Sequence, residues 1–341
     1  MRPYFYSVNE YIKDTYGVKM YKIALNGGMT CPNRDGLIDT KGCIFCSAGG
    51  SGDFAGDAVY KKCNPAAYED SVPVTDCTTS ADFVPVTGFN GQLPAPLVSI
   101  DKQIEAGKAL ISSKYNGNDF IGYFQSYTNT YAPYEYLEQL FTHCINRDDI
   151  RILSIATRPD CLDPKIISLL ARLNQIKPVW VELGLQTVNP DTAHFIRRGY
   201  ELNVYDTAIK MLKEAGIYTI VHMIAGLPKE SLKDYLNTAK YIASSGADGI
   251  KIALLHVLKG TDLAACYYNN EFQIMSMDEY ISTLAEIIQI LPEDMAIHRI
   301  TGDGPKNLLI APLWSSNKKL VYNSIIKYFR ENDIHQGRLY R

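Results

Sequence analysis

The chain has 341 residues, of which 46% are hydrophobic, so it is long enough to bury a full-sized core. Its formal net charge of -3 does not indicate a globally basic nucleic-acid binder. No stretch approaches the ~18 consecutive apolar residues of a membrane span, and the N-terminus lacks the apolar segment of a secretory signal. We expect a soluble, cytoplasmic protein.

The first predicted strand, residues 20–25, leads directly into a cluster of cysteines. The spacing is Cys31-x11-Cys43-x2-Cys46, and the other cysteines are scattered. In a reducing compartment, clustered cysteines more often indicate metal or redox chemistry than disulfides. Three thiolates can hold three irons of a cubane and leave the fourth iron open, whereas electron-transfer clusters usually take four cysteines. A fourth ligand in Cys63, a structural zinc site and unrelated buried cysteines remain alternatives.

Residues 57–97 contain Pro, Thr, Asp and Gly without sustained periodicity. We predict an irregular insertion, because segments of this length without secondary structure are usually functional or disordered. The insertion carries Cys63 and Cys77, which form no further cysteine cluster.

From about residue 99 to residue 255, strand-like and helix-like patterns alternate. Apolar runs separated by amphipathic segments of ten or more residues predict parallel strands joined by right-handed crossovers. Six strands fit an open doubly wound sheet or a partial βα barrel, and in both cases ligands bind at the carboxyl ends of the strands. The predicted strands are residues 20–25, 120–124, 150–156, 178–185, 218–224 and 249–255.

The pattern changes after about residue 260. A helix near residues 277–290, a short strand near 295–300 and a helix near 321–331 predict a small C-terminal α+β subdomain. The predicted division is therefore a core of residues 1–260 and a subdomain of residues 261–341.

The cysteine spacing and the residues that follow the strands resemble the radical S-adenosylmethionine (radical SAM) superfamily. Phe45 fills the aromatic position before the last cysteine. The motifs Glu182-Leu-Gly-Leu-Gln186 and His222-Met-Ile-Ala-Gly-Leu-Pro228 are similar to those of the Elongator catalytic subunit. The x11 spacing is similar to that of the YhcC-like branch, which is related to the radical SAM domain of that subunit. The resemblance covers nearly the whole chain and implies an α/β fold, a partial (β/α)6 barrel with a small C-terminal α+β subdomain.

The resemblance also implies the cofactors and their ligands. A 4Fe–4S cluster is expected on Cys31, Cys43 and Cys46, with S-adenosylmethionine at the open iron. Arg198 is expected to pair with the carboxylate of the cosubstrate, because its planar fork meets a carboxylate bidentately. The implied cosubstrate contacts are Phe45, Gln125, Thr128, Asn129, Arg158, Gln186, Arg198 and His222.

Four of these implied contacts have structural alternatives. The polar turn with Thr128 and Asn129 can simply cap the next helix, since Thr and Asn are good caps. Arg158 can belong to a surface ion pair, and His222 can be a core histidine with satisfied hydrogen bonds. Ala156 stands where Elongator-like proteins have a glutamate, so that contact is absent or supplied elsewhere.

The implied activity is reductive cleavage of S-adenosylmethionine to methionine and a 5′-deoxyadenosyl radical, which acts on an unidentified substrate. An external reductant of the flavodoxin or ferredoxin type is the expected partner, and no membrane partner is expected. A tRNA base and a small metabolite are both candidate substrates, although the net charge gives no support for RNA. The alternative is a non-catalytic iron–sulfur protein that transfers electrons or serves as an RNA-binding adaptor.

Lys251 in the sixth predicted strand is unusual in an apolar run. A lysine that points inward is a costly buried charge unless it meets a ligand or a carboxylate. We therefore predict an ion pair between Lys251 and Glu182.

Overall fold

The computed structural model describes residues 4–50, 55–63, 98–302 and 304–340. Helices and strands alternate along most of this length, as predicted. The helices are α1 (Val8–Tyr16), α2 (Gly56–Cys63), α3 (Ile100–Ile111), α4 (Tyr134–Ile145), α5 (Pro164–Asn174), α6 (Pro190–Phe195), α7 (Leu202–Glu214), α8 (Leu232–Ser244), α9 (Asp262–Tyr268), α10 (Met277–Gln289) and α11 (Lys318–Glu331). The strands are β1 (Tyr21–Leu25), β2 (Phe120–Phe124), β3 (Ile150–Thr157), β4 (Val179–Gln186), β5 (Tyr218–Ala225), β6 (Gly249–Leu254), β7 (Val257–Leu258), β8 (Ala296–Arg299) and β9 (Leu309–Ala311).

Seven strands form one parallel sheet that is curved into a half-barrel. Their order is β1-β2-β3-β4-β5-β6-β8, and each neighbouring pair is parallel. The sheet confirms the predicted partial barrel and adds a seventh strand to the six predicted ones. The added strand, β8, was predicted to belong to the C-terminal subdomain, yet it pairs with β6 of the core. The domain boundary at residue 260 stays a prediction.

Helices such as α4, α5, α7 and α8 pack on the sheet in the main core. The helix α5 begins at Pro164, as predicted, and the Asp163 side chain accepts the N–H of Ile166. Its apolar side, with Leu169 and Leu170, is fully buried in the main core. Because strands such as β2 are buried on both faces, they appear in the sequence as continuous apolar runs. None of the described helices is long and apolar enough to cross a membrane.

Side chains inside the half-barrel change from apolar to polar along the strands. At the amino ends, an apolar layer covered by Ile12 of α1 consists of Ile121, Ile152, Trp180 and Ile220. Side chains two positions further along a strand return to the same face. This second layer is polar and consists of Tyr123, Ser154, Glu182 and His222. The change places polar chemistry next to the carboxyl ends of the strands.

One helix lies inside the segment predicted to be irregular. The helix α2 covers residues 56–63 and packs on α3. The remainder of the predicted insertion, including Cys77, lies outside the described residues, as does the side chain of Cys63. A fourth cluster ligand in Cys63 therefore stays an open alternative.

Candidate active site

A cavity of about 260 Å³ lies at the carboxyl ends of the strands. Ten of the eleven residues predicted for the site line it. They are Cys31, Cys43, Phe45, Cys46, Gln125, Thr128, Arg158, Gln186, Arg198 and His222. The eleventh, Asn129, is fully buried and lies outside this lining.

The loop that carries the cysteines is anchored by two of its own side chains. Asn33 donates its amide to Sγ of Cys43 at 3.6 Å and to the carbonyl of Arg197 at 2.7 Å. Arg34 donates to the carbonyl of Cys46 at 3.0 Å. The loop is therefore fixed to the segment after α6, and Cys43 receives an amide donor that suits a negatively charged sulfur.

The chemistry of the three sulfurs fits a cluster better than a single metal ion. Burial raises the pKa of the Cys43 thiol to about 12, so a thiolate there needs a bound cation at neutral pH. No three His, Cys, Asp or Glu side chains in the described part of the chain are grouped closely enough to hold one metal ion. Three cysteines of an iron–sulfur cubane each bind a separate iron. The donor set thus fits a cubane, and the zinc alternative stays open.

The turn after β2 ties neighbouring strands together. Asn129 donates its side-chain amide to the carbonyls of Phe124 at 3.1 Å and Ala156 at 2.8 Å. These donors hold β2 against β3, whereas the buried Oδ1 of Asn129 has no hydrogen-bond partner among the described residues. The cosubstrate contact of Asn129 stays a prediction. Gln125 and Thr128, in contrast, face the cavity as predicted.

The guanidinium of Arg158 already has a carboxylate partner. It donates to both carboxylate oxygens of Asp160, at 2.9 and 2.7 Å, and the Arg158 side chain is 11% exposed. This bidentate pair satisfies the charge of Arg158 within the protein. The observed pair is largely buried and is therefore not the surface ion pair of the alternative. Arg158 also lines the cavity, and its contact with the cosubstrate stays a prediction.

Arg198 is buried and has donors left for a ligand. Its guanidinium donates to the carbonyl of Thr187 at 2.7 Å and to that of Tyr200 at 3.1 Å, and it stacks on the Tyr200 ring. Within the described ranges, no carboxylate lies within ion-pair distance of Arg198. Two of the five N–H groups of Arg198 make these short hydrogen bonds. The remaining N–H groups and the positive charge are therefore available to bind the carboxylate of a ligand.

The end of β4 brings Gln186 into the cavity. Gln186 has a φ of 66° and lies at an irregularity in the pairing between β4 and β5. Such irregularities re-aim side chains and are frequent next to active sites. The backbone here therefore turns a residue of a buried strand toward the cavity.

Glu182 is the centre of a buried charge network in the polar layer. One of its oxygens lies 2.7 Å from Nζ of Lys22 and accepts the hydroxyl of Ser154 at 3.0 Å. The other contacts Nζ of Lys251 and lies 2.9 Å from Nε2 of His222. The ion pair predicted between Lys251 and Glu182 is confirmed.

Two pKa shifts follow from this network. Burial alone raises the pKa of a carboxyl, but the ammonium groups of Lys22 and Lys251 outweigh burial and hold the pKa of Glu182 well below its ordinary value. Burial lowers the pKa of His222 to about 4, so its imidazole is neutral at pH 7. A neutral His222 that donates Nε2–H to Glu182 retains Nδ1 as an acceptor.

Comparison with known families identifies the chain. Residues 40–242 match the model of the Radical SAM superfamily. The chain belongs to the radical SAM superfamily. Residues 247–331 also match the Radical_SAM C-terminal domain.

Individual relatives confirm the predicted branch of the radical SAM superfamily. The chain is 37% identical to YtqA of Bacillus subtilis over 99% of this chain and 93% of that protein. It is 29% identical to YhcC of Escherichia coli over 96% of this chain and 92% of that protein. An archaeal Elp3 structure from Methanocaldococcus infernus has a TM-score of 0.58, with 21% identity over 69% of this chain and 59% of that chain. At this identity, the likeness to Elp3 concerns the fold.

Several residues of this radical SAM site were not predicted. Lys22 and Arg299 are charges within short apolar runs, which is the same signal that singled out Lys251. Nothing in the local sequence indicated that Asn33 anchors the cysteine loop, because its hydrogen-bond partner, the carbonyl of Arg197, lies 164 residues away along the chain. Tyr200, which stacks on Arg198, was also missed.

Gly199 offers a test of the anchor that Asn33 provides. Gly199 has a φ of +80°, and a Cβ there would lie 2.6 Å from Oδ1 of Asn33. We expect Gly199→Ala to displace the Asn33 amide and to lower the iron content after cluster reconstitution. A left-handed alanine by itself costs about 1–2 kcal/mol.

Gly216→Ala is the matched control. Gly216 has a φ of +67°, but a Cβ at this position would meet no neighbouring atom within 4 Å, so its variant carries the backbone strain without the clash. Urea unfolding and iron analysis of both variants separate the two effects. Equal iron content in both variants would contradict the anchoring role of Asn33.

Proposed function

We propose that this protein reductively cleaves S-adenosylmethionine at a 4Fe–4S cluster held by Cys31, Cys43 and Cys46. The proposal rests chiefly on one observation: these three cysteines share a cavity with Arg198, a buried arginine without a carboxylate partner in the described ranges. When bound and reduced, such a cluster supplies the electron that splits the sulfonium into methionine and a 5′-deoxyadenosyl radical. An external reductant of the flavodoxin or ferredoxin type is the proposed electron donor.

The protein binds and orients the cosubstrate in this proposal. Arg198 receives the carboxylate of the methionine part, and its charge is stabilised by two backbone carbonyls and by the ring of Tyr200. Phe45 lines the same cavity beside Cys46, where the adenine is proposed to bind. Gln186 and His222 line the opposite wall, formed by β4 and β5, and offer polar atoms to the ribose. The Nδ1 atom of neutral His222 suits a hydroxyl donor.

The second candidate function is a non-catalytic iron–sulfur protein. This function requires the cluster but no cosubstrate. It therefore does not explain why a buried arginine, Arg198, lacks a carboxylate partner in the described ranges. For the enzyme, a tRNA base and a small metabolite both remain candidate substrates. The resemblance of the sequence motifs to the Elongator catalytic subunit makes the tRNA base a candidate, whereas the overall charge of -3 gives no support for RNA.

The test is anaerobic reconstitution followed by reduction with dithionite and measurement of 5′-deoxyadenosine. We expect wild-type protein with about four irons to release the nucleoside. Cys43→Ala should lose at least 100-fold of this activity, because one cluster ligand is removed. Cys266→Ala is the matched control, since Cys266 lies outside the site cavity, and its activity should stay within twofold of wild type.

The contrary outcome separates the two candidate functions. Wild-type protein with a full complement of iron that neither binds S-adenosylmethionine nor releases 5′-deoxyadenosine would contradict the enzyme. It would then favour the electron-transfer or adaptor function.

A further inference from the structure

Three cavities that share lining residues run through the half-barrel. The first is the site cavity. The second, of about 290 Å³, lies between the cysteine loop and a wall that includes Arg299, Gly302, Gly304 and Pro305. The third, of about 410 Å³, lies against α1 between the edge strands β1 and β8. Gln125 and Arg299 line all three, so the cavities meet at these two side chains.

The walls of these cavities carry an excess of positive charge. Glu182 is the single carboxylate among the described residues that line them. Lys22, Lys251 and Arg299 all lie around the polar layer to which Glu182 belongs. Three cations therefore surround one anion, and the neutral His222 adds no further charge.

Glu182 does not form an ion pair with Arg299. Both of its oxygens are already occupied, one by Lys22 and the other by Lys251. Across the sheet, Arg299 is the register partner of Lys251, which brings the two cations side by side. Within the part of the chain that the structure describes, no carboxylate forms an ion pair with Arg299.

Lys251 is buried, whereas Arg299 is exposed, so the repulsion between the cations acts chiefly on Lys251. Burial lowers the pKa of Lys251, Glu182 opposes this shift, and the charges of Lys22 and Arg299 lower the pKa further. An anion placed between Lys251 and Arg299 would relieve this repulsion. A guanidinium suits such an anion because its fork matches both carboxylate and phosphate oxygens.

We propose that Arg299, supported by Lys251 and Lys22, binds an anionic group of the substrate, either a carboxylate or a phosphate. This inference rests on the proposed function, because it assigns a substrate group to the same active site. Arg299 shares the second cavity with Phe45 and Cys46, so a substrate held by its anionic end lies next to the cosubstrate. The anchor is distinct from Arg198, which lines neither the second nor the third cavity.

The test is isothermal titration calorimetry, which measures the dissociation constant of inorganic phosphate, and separately of acetate, for the cluster-loaded protein at low ionic strength. Saturating S-adenosylmethionine is present without reductant, so that Arg198 is occupied and only the second anion site is measured. We expect Arg299→Gln to weaken the binding of at least one of the two anions by tenfold or more. Arg299→Lys, which keeps the charge, should lose less.

Arg330→Gln is the matched control, because Arg330 is an exposed arginine near the end of α11 that lines none of the three cavities. It should bind both anions as wild type does. Circular dichroism and thermal melting verify that the Arg299 variants fold.

The outcomes also identify the type of group. Weakened binding of phosphate alone supports a substrate phosphate, weakened binding of acetate alone supports a carboxylate, and weakening of both supports a site for either anion. Equal binding by wild type and Arg299→Gln, or no binding to wild type, would overturn the proposal. Cleavage of S-adenosylmethionine by wild type together with either of these results would leave the proposed function intact. Anion binding as expected by a protein that neither binds nor cleaves S-adenosylmethionine would instead contradict the proposed function.

Discussion

Glu182→Gln is expected to lower the free energy of unfolding by about 3–5 kcal/mol, since removing one partner leaves buried charges uncompensated. Glu182 is fully buried, and its two oxygens face the ammonium groups of Lys22 and Lys251. Glutamine retains the shape of the side chain but removes the negative charge. The stability change is measured by urea unfolding followed by circular dichroism, with the slope checked for two-state behaviour.

Two further variants make the Glu182 prediction specific. Glu214→Gln removes an exposed partner of Lys210 on α7, 3.9 Å away, and should change stability by less than about 0.5 kcal/mol. In the Glu182→Gln background, Lys251→Met should restore part of the lost stability, because it removes one of the orphaned charges. A loss below about 1 kcal/mol for Glu182→Gln would contradict the charge network as a determinant of stability.

Arg198→Gln is expected to weaken the binding of S-adenosylmethionine by roughly 30- to 1000-fold, equivalent to about 2–4 kcal/mol. The effect is large because the buried fork of Arg198 is the proposed partner of the cosubstrate carboxylate. The dissociation constant is measured by anaerobic equilibrium dialysis with the oxidised, cluster-loaded protein. Arg198→Lys should lie between wild type and Arg198→Gln, since it keeps the charge without the fork.

The neighbouring arginine supplies the control for Arg198. Arg197 pairs with Asp262 at 2.7 Å, so its charge is used within the protein. Arg197→Gln should bind the cosubstrate within threefold of wild type. The iron content of each variant distinguishes a lost cosubstrate contact from a damaged cluster loop. Wild-type affinity in Arg198→Gln at normal iron content would contradict the proposed role.

Local patterns were sufficient to predict most of the barrel. Each predicted strand of the core formed within a few residues of its expected position, because strands buried on both faces require continuous apolar runs. The short strand β8 was also detected, but its pairing with β6 was not. A four-residue strand contains too little pattern to specify the sheet that it joins, and this pairing is what brings Arg299 to the cavities.

The sequence by itself determined the cysteine cluster and the pairing of Lys251 with Glu182. The cysteines lie within sixteen residues, from Cys31 to Cys46, so their spacing is visible along the chain. The ion pair was predictable because a charge inside a buried strand requires a partner of opposite sign. In both cases, local sequence and a general physical constraint left few alternatives.

Tertiary structure alone decided which polar groups are already satisfied within the protein. Arg158 and Arg198 are both arginines beside the carboxyl ends of strands, yet Arg158 is paired with Asp160 and Arg198 meets only carbonyls and a ring. The side-chain N–H groups of Asn129 are likewise used by backbone carbonyls of β2 and β3, whereas its Oδ1 has no partner among the described residues. Hydrogen-bond and ion-pair partners depend on distances between segments that are remote along the chain. Those distances are fixed only when the strands take their places in the sheet, and they decide which side chains remain available to a ligand.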